Sequence, residues 1–302
     1  MLAPAWTAPL LMRMAEVGSV IANPFAHGEF NFAARLRLAR QLRRAAYDEA
    51  IVLPNSWKSA LVPFLAGIPL RTGFVGEARY LLLNRPQRYD ARALPQLAWR
   101  YAKLAEAAAA GPVLPLAAPH LQSTPQQQSR ARASLGLPTQ GSPVIFCPGA
   151  EYGPAKRWPA RHFAALAARL GDASQPVWLL GSDKDRALSE EIVRQAQGAA
   201  QNLCGCTTLE QAIDLLAGAR LVVANDSGLM HVAAALERPL LALYGSSSPE
   251  FTPPLSQHAK IIATDIACSP CFQRVCPLGH FKCLEDLTPQ RVLQYLDHHA
   301  DT

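Results

Sequence analysis

The stretch "LVVANDSGLMHVAAALERPLLALYG", residues 221–245, decides the fold. An apolar run ends at a polar break over residues 225–228, whose Asn, Asp, Ser and Gly are typical of a turn that starts a helix. A helix-like stretch follows, Pro239 ends it, and a second apolar run begins. A buried strand, a helix and another buried strand form the repeating unit of a parallel sheet covered by helices.

The same alternation occurs elsewhere in the chain. Short apolar runs that end in turn residues lie at 49–54, 142–149 and 175–182, and helix-like stretches such as "ARHFAALAARLG" follow them. Strands alternating with amphipathic helices predict an α/β fold with doubly wound, mainly parallel sheets. No internal repeat of the solenoid type interrupts this pattern.

A linker divides the chain into two parts. From residue 111 to residue 142 the alternation lapses, and Pro, Gln and Ser accumulate, as in a linker that leads into a short connecting helix. We therefore predict a Rossmann-like domain over 1–120, a linker over 121–142 and a second Rossmann-like domain over 143–302. In such domains ligands bind beyond the carboxyl ends of the strands.

The composition excludes several classes of protein. Half of the 302 residues are hydrophobic and 17% are charged, which indicates a packed globular chain. No apolar run is long enough to span a membrane, and the first residues do not have the pattern of a signal peptide. We expect a cytoplasmic location, where the seven cysteines would be reduced thiols or metal ligands.

The charge is unevenly distributed. Residues 1–142 hold 16 Lys or Arg against 7 Asp or Glu, whereas residues 143–302 hold 13 against 16. A basic first half predicts an anionic partner such as a phosphorylated glycan, a membrane surface or a nucleic acid. No interleaving of aromatic and basic residues supports nucleic acid. The five arginines of "FAARLRLARQLRRAAYD" are equally typical of a solvated helix face.

The polar break after residue 224 is a candidate anion site. Asp226, Ser227 and Gly228 lie where the backbone N–H groups of a helix start are free, and His231 follows one turn later. A capped helix without a ligand remains an alternative, because the same residue types cap helices. A Ser-His-Asp hydrolase is excluded, because a catalytic triad draws its members from separate segments.

A second loop strengthens this prediction. "CPGAEYGPAKRWP", residues 147–159, follows another apolar run and places Lys156 in a glycine-containing turn that suits a diphosphate. A solvated surface loop is the alternative. In "LLGSDKDRA", Asp183 or Asp185 is a candidate for a ribose hydroxyl or, equally, for a helix cap.

Three long motifs carry a family resemblance. "CPGAEYGPAKRWPARHFAALAARL", "NDSGLMHVAAALERPLLALYGSSSPEFTPPLS" and "YDEAIVLPNSWKSALVPFLAGIPLRTGFVGEARYLLLN" closely resemble the ADP-heptose:lipopolysaccharide heptosyltransferases, glycosyltransferase family nine. The resemblance extends from Met1 to about residue 298. It implies a GT-B fold, two Rossmann-like domains facing a cleft, and an inverting transfer of heptose from ADP-heptose to the heptosyl-Kdo inner core of lipopolysaccharide. It implies no metal ion for the chemistry.

The resemblance also implies roles for individual residues. Lys156 would stabilise the leaving ADP. The residues that would bind the donor are Glu151, Tyr152, Lys156, Asp183, Asp226, Ser227, Gly228 and His231. The residues that would bind the carboxylates and phosphates of the heptosyl-Kdo-lipid A acceptor are Asn55, Ser56, Lys58, Arg71 and Arg79. The implied partners are ADP-heptose, this acceptor and, peripherally, the cytoplasmic face of the inner membrane.

The start of the chain departs from the family pattern. The resemblance implies a strand and a Gly-Asp loop ahead of the first long helix, and the Asp of that loop is the expected general base. No such segment precedes Met1, so we expect a shortened first domain and leave the catalytic base unassigned. The alternative function is therefore a module of the same fold that binds the nucleotide sugar with little or no turnover.

Four cysteines cluster near the end of the chain, in "ACSPCFQRVCPLGHFKCLEDLTP". Their spacing, C-x₂-C-x₄-C-x₆-C, is compatible with a structural zinc site and also with a loop of buried or reactive free thiols. A zinc ion here would organise the loop and take no part in the transfer. The four candidate ligands are Cys268, Cys271, Cys276 and Cys283.

Overall fold

A computed structural model describes residues 1–26, 28–88, 90, 92–109, 116–172 and 175–297. The last residues of the predicted second domain, 298–302, lie outside the described part. The strands are β1 Leu2–Pro4, β2 Ile21–Asn23, β3 Glu49–Val52, β4 Leu70–Phe74, β5 Arg85–Gln87, β6 Val144–Cys147, β7 Val177–Leu179, β8 Ala200–Asn202, β9 Leu221–Asn225, β10 Leu240–Tyr244 and β11 Ala259–Ala263. The helices are α1 Ala8–Leu11, α2 Phe32–Arg44, α3 Trp57–Ala66, α4 Leu97–Ala109, α5 Pro125–Ser134, α6 Ala160–Leu170, α7 Arg186–Gln195, α8 Leu209–Ala217, α9 Gly228–Ala235, α10 Lys282–Glu285 and α11 Pro289–Asp297.

The second half of the chain forms one parallel sheet of six strands. Its strand order is β11-β10-β9-β6-β7-β8. Consecutive residues of β6 enter different cores, Ile145 on one face and Phe146 on the other. A parallel sheet covered by helices on both faces has near-continuous apolar strands, which is why the sequence shows apolar runs instead of alternation. The predicted doubly wound sheet is confirmed here.

The first half contains two smaller parallel sheets. β3, β4 and β5 form one, and β1 pairs with β2 in the other. Helix α2 lies against α3, and Leu38, Leu42 and Val62 form the centre of a compact core with Ile21 packed on it. The predicted α/β class is therefore confirmed for both halves.

The chain crosses between the two halves more than once. Helix α1 contacts α8, and Leu10 and Met14, although they lie within the predicted first domain, pack against the core of the second sheet. The chain then returns to the first core at Ile21. After α4 it enters the second half, where the Leu121 N–H donates to the Ala235 carbonyl.

The connecting helix is also present as predicted. In α5, the Thr124 side chain accepts from the Gln127 N–H, and the Gln127 side chain accepts from the Thr124 N–H. This reciprocal cap satisfies two otherwise unpaired donors at the start of the helix.

Candidate active site

The strand order of the second sheet locates the site. From β6 the chain runs outward through β7 and β8 on one side and through β9, β10 and β11 on the other. The order therefore reverses between β6 and β9, and a crevice opens at the carboxyl ends of neighbouring strands at such a reversal. The loops that follow β6 and β9 are the two that the sequence singles out for an anion.

Lys156 and Asp226 meet across this crevice. The Lys156 Nζ lies 2.5 Å from the Asp226 Oδ2. The Asp226 side chain is 6% exposed and the Lys156 side chain 18% exposed, so little water screens the pair. A lysine ammonium has three N–H donors, and one contact to Asp226 leaves it able to donate to an anion as well.

Asn225 ties the two loops together. Its side-chain amide donates to the Pro148 carbonyl at 2.7 Å, and its side-chain oxygen accepts from the Trp158 N–H at 3.1 Å. Asn225 is completely buried. Asn225 was not among the predicted site residues, although an amide at the end of an apolar strand must find partners when it is buried. Asn225 fixes the spacing between the segments that carry Lys156 and Asp226.

The start of α9 faces open space. Ser227 occupies the N-cap position, but its side chain makes no capping hydrogen bond. A Cβ atom added at Gly228 would have no atom within 4 Å. Ser227 therefore takes the N-cap position that its residue type favours, but its hydroxyl is not used in a cap. The first N–H groups of α9 have no side-chain cap, and together with Lys156 they provide positive potential at one point.

His231 lies one turn into α9 and lines a cavity between the two halves. The residue keeps contact with solvent along the cavity, while the neighbouring protein partly desolvates its ring. This desolvation lowers the pKa of His231 below its ordinary value of 6.5, while Asp226 raises it and Lys156 lowers it further. The imidazole is therefore neutral near pH 7, with one nitrogen able to donate and one able to accept.

The lowered pKa of His231 predicts how stability varies with pH. Below pH 6.5 the unfolded chain binds a proton at this position more readily than the folded chain does. The free energy of unfolding should therefore fall as the pH drops through this value. For the His231→Gln variant, the free energy of unfolding should fall less steeply. Urea titrations of both proteins between pH 7.5 and 5 would measure the two slopes, and equal slopes would contradict the prediction.

The other predicted donor residues lie at the edge of this crevice. The Tyr152 hydroxyl donates to the Phe272 carbonyl at 2.7 Å, and the Lys156 ammonium lies 5.2 Å from the centre of the Tyr152 ring. Glu151 pairs with Lys184 on the surface at 2.6 Å, and this contact lowers the pKa of Glu151. Tyr152 is thus held beside the ammonium, whereas Glu151 contacts the neighbouring loop.

The two candidate aspartates after β7 differ in environment. Asp183 is largely exposed and pairs with Arg186 at 3.0 Å. Asp185 is buried, and its carboxylate accepts from both the backbone N–H and the hydroxyl of Ser182. Asp185 therefore has the capping role that the sequence left open, and Asp183 keeps exposed oxygens.

The predicted acceptor residues separate into two groups. Asn55, Ser56 and Lys58 follow the carboxyl end of β3, where ligands of parallel sheets bind. Arg71 lies near the opposite end of β4 and donates to the carbonyls of Ile68 and Leu82. The structure therefore does not bring Arg71 together with the other three.

Arg79 contacts the segment that carries the other predicted acceptor residues. It is 2% exposed, and its guanidinium donates to the carbonyls of Pro54, Ser56 and Phe74. Burial lowers the pKa of Arg79 below the usual arginine value. Its donors are used to shape residues 54–59, so Arg79 positions this segment and does not present a free guanidinium to a ligand.

A cavity of about 210 Å³ lies between the halves. Its walls come from α4, from α9 and from residues 251–255, and Tyr101, His231 and Phe251 are among them. The Leu97 N–H at the start of α4 donates to the Phe251 carbonyl and closes one side. His231 is shared by this cavity and by the crevice at β6 and β9.

The four clustered cysteines line a second, much smaller cavity of about 20 Å³. Burial raises the pKa of Cys283, and the nearby thiols of Cys271, Cys268 and Cys276 raise it further. Within the described ranges, no three His, Cys, Asp or Glu side chains are placed to hold a metal ion. The predicted zinc ligands are therefore neighbours, but their side chains do not form a finished site.

Comparison with known proteins gives a consistent result. Residues 35–282 match the model of "Glycosyltransferase family 9 (heptosyltransferase)". The chain is 46% identical to lipopolysaccharide heptosyltransferase 2 of Escherichia coli K12, over 98% of this chain and 88% of that protein. It is 44% identical to lipooligosaccharide heptosyltransferase 2 of Haemophilus ducreyi, with the same coverage of both chains.

A solved structure matches equally well. The structure of E. coli ADP-heptose lps heptosyltransferase II superimposes with a TM-score of 0.84 at 45% identity, over 98% of this chain and 87% of that one. In the part of this chain that the structure describes, none of the helices is long and apolar enough to cross a bilayer.

Proposed function

The chain belongs to glycosyltransferase family 9, the heptosyltransferases, and from this we propose that it moves heptose from ADP-heptose onto the heptosyl-Kdo inner core of lipopolysaccharide. It has the GT-B fold of that family. The observation that carries the proposal is the Lys156–Asp226 pair beside the start of α9. An ammonium and free N–H groups at one point suit the diphosphate of a nucleotide sugar.

The same groups account for the chemistry on the donor side. When the glycosidic bond breaks, negative charge grows on the ADP that leaves. Lys156 would neutralise that charge, and Asp226 would hold the ammonium in place through the 2.5 Å contact. The neutral ring of His231 would bind the donor by hydrogen bonds without adding charge. In a direct displacement the acceptor hydroxyl oxygen bonds to the anomeric carbon as the bond to ADP breaks, and the hydroxyl proton passes to a base that we leave unassigned. The β-linked heptose of the donor thereby becomes an α-linked product, and no metal ion is needed for this step.

Ser227, Gly228, Glu151, Tyr152 and Asp183 would complete the donor site. Gly228 leaves room for the ligand to approach the backbone, and Tyr152 lies beside the Lys156 ammonium. Asp183, with its exposed carboxylate, would contact the ribose.

The acceptor would enter from the first half. Asn55, Ser56 and Lys58 offer an amide, a hydroxyl and an ammonium at the carboxyl end of β3. These groups suit the carboxylates and phosphates of an inner core, and Arg79 would act by holding their segment. Because the acceptor is anchored in a membrane, the basic first half would contact the cytoplasmic face of the inner membrane peripherally.

The test of this function is release of ADP from ADP-heptose in the presence of heptosyl-Kdo₂-lipid A. We expect turnover that requires both substrates, with a product one heptose heavier by mass spectrometry. Binding of ADP-heptose without turnover would support the alternative, a module that binds the nucleotide sugar. The names of the relatives favour the transferase.

Gly228→Ala offers a direct probe of the donor position. The added methyl group meets no protein atom within 4 Å and lies at the start of a helix, so the fold should be as stable or slightly more stable. If the donor occupies this space, overpacking should raise the KM for ADP-heptose about tenfold, equivalent to about 1.4 kcal/mol.

Gly18→Ala is the matched control, since its added methyl also meets open space. Steady-state kinetics and thermal melts of the two variants would be compared. An unchanged KM in Gly228→Ala would place the donor elsewhere.

A further inference from the structure

The segment between β11 and α10 covers the loop that carries Lys156. The Ala155 N–H donates to the Arg274 carbonyl at 3.1 Å, and the Tyr152 hydroxyl donates to the Phe272 carbonyl at 2.7 Å. A Cβ atom at Gly153 would come within 2.5 Å of the Arg274 oxygen, so the two backbones are in close contact. The position of the Lys156 loop thus depends on the segment above it.

This segment, residues 264–281, contains no helix or strand. Irregular loops of this length are uncommon in compact domains, and ordered ones usually have a function. Two hydrogen bonds attach it to the end of β10: the Phe272 N–H donates to the Ser246 carbonyl, and the Ser269 hydroxyl donates to the Gly245 carbonyl. Its remaining notable feature is the set of cysteines inside it.

These cysteines meet at one enclosed point. Cys268, Cys271 and Cys276 from the segment line the 20 Å³ cavity, together with Cys283 from α10. A space of this size holds about one water molecule or one ion. Ser246 also lines the cavity, and its hydroxyl is buried without a hydrogen-bond partner among the described residues. An unpaired buried hydroxyl beside four thiols indicates that the cavity has a polar occupant.

A tight turn places Cys276 in the cavity wall. Gly279 adopts a left-handed conformation with φ of 70°, and its N–H donates to the Cys276 carbonyl. The turn therefore holds the Cys276 side chain at the same cavity as the thiols of Cys268, Cys271 and Cys283.

We propose that this cavity binds a single thiophilic transition-metal ion of the zinc class through Cys268, Cys271, Cys276 and Cys283. Four sulfur ligands favour tetrahedral zinc or iron over harder ions such as magnesium. On binding, each thiol loses its proton to solvent, and the side chains turn inward about χ1 to reach the ion. The ion crosslinks the segment and thereby holds the Lys156 loop.

The first test is the metal content of the purified full-length chain. We expect about one equivalent of zinc or iron by elemental mass spectrometry. After removal of the metal, added Co²⁺ should give the intense visible bands of tetrahedral thiolate coordination. A chain that binds neither its native metal nor Co²⁺ would overturn the proposal.

Single variants give a second test. Cys276→Ser and Cys271→Ser should each lower the metal content to less than about half of the wild-type value. Cys206→Ser is the control, because Cys206 is exposed and lies outside the cavity. If the cavity variants retain full metal content, or if Cys206→Ser loses it equally, the proposed ligand set is wrong.

Hydrogen exchange of the wild-type chain separates this role from folding defects. Removing the metal should speed exchange at Ala155, whose N–H depends on Arg274, and leave β9 protected. This measurement requires neither ADP-heptose nor the acceptor, so its outcome does not depend on whether the chain transfers heptose. Unchanged exchange at Ala155 after metal removal would contradict the link to the Lys156 loop.

Discussion

Replacing Lys156 with alanine should lower kcat for heptose transfer by about 10²–10³-fold, the usual cost of removing one group that stabilises developing negative charge. The ammonium has its largest effect when charge has moved onto the departing ADP, so kcat should fall more than the affinity for the donor. Steady-state ADP release at saturating donor and acceptor would measure kcat, and calorimetry with ADP would measure affinity.

Loss of the charge must be separated from damage to the fold. Lys156→Ala leaves Asp226, which is 6% exposed, without its cation, so some stability is lost as well. Adding Asp226→Asn removes the unpaired charge and should recover stability without recovering kcat. Lys184→Ala is the matched control, because Lys184 is exposed and, among the described residues, its ammonium pairs with the exposed Glu151. A raised KM with unchanged kcat would mean that Lys156 binds donor and transition state equally.

The second large effect concerns stability. Arg13→Ala should lower the free energy of unfolding by about 3–5 kcal/mol, the typical cost of leaving one member of a buried ion pair alone. The Arg13 guanidinium contacts both carboxylate oxygens of Asp214, at 2.8 and 2.9 Å, and also donates to the Gln122 carbonyl. Both side chains are less than a tenth exposed. Urea unfolding of the two proteins would measure the difference.

Arg186→Ala is the control for this prediction. Arg186 pairs with Asp183 at 3.0 Å, but both side chains are exposed, and such pairs contribute about 0–1 kcal/mol. A loss below 1 kcal/mol in Arg13→Ala would show that water or Ser123 replaces the missing partner, since the Ser123 hydroxyl already donates to Asp214.

Local sequence signals predicted the fold of the second half well. The apolar runs at 142–149, 175–182 and 220–226 became β6, β7 and β9, because a strand buried on both faces needs apolar residues throughout. The short strands that mix apolar and polar residues were not predicted from the sequence. β8, Ala200–Asn202, lies at the edge of the sheet, where one side has no partner strand and the apolar requirement is weaker.

Site residues were predictable where a loop alone determines their position. Lys156 and Asp226 follow the ends of strands that proved to be neighbours, so their meeting follows from the strand order. Arg71 and Arg79 were not predictable in this way. A guanidinium can bind a ligand or backbone carbonyls, and only the folded chain shows that carbonyls surround both. The contacts of Arg13 with Asp214 likewise join residues 201 positions apart.

The repeated passage of the chain between its two halves restricts how the cleft can open. Among the described residues the chain passes from β1, which pairs with β2, to Leu10 on the second core, returns from Met14 to Ile21 on the first core, and passes again from α4 to Leu121. A single connection would allow rotation in any direction, whereas several connections restrict the rotation to fewer axes. Opening and closing should therefore be a restricted hinge rotation, so that donor and acceptor surfaces return to the same relative position after every turnover.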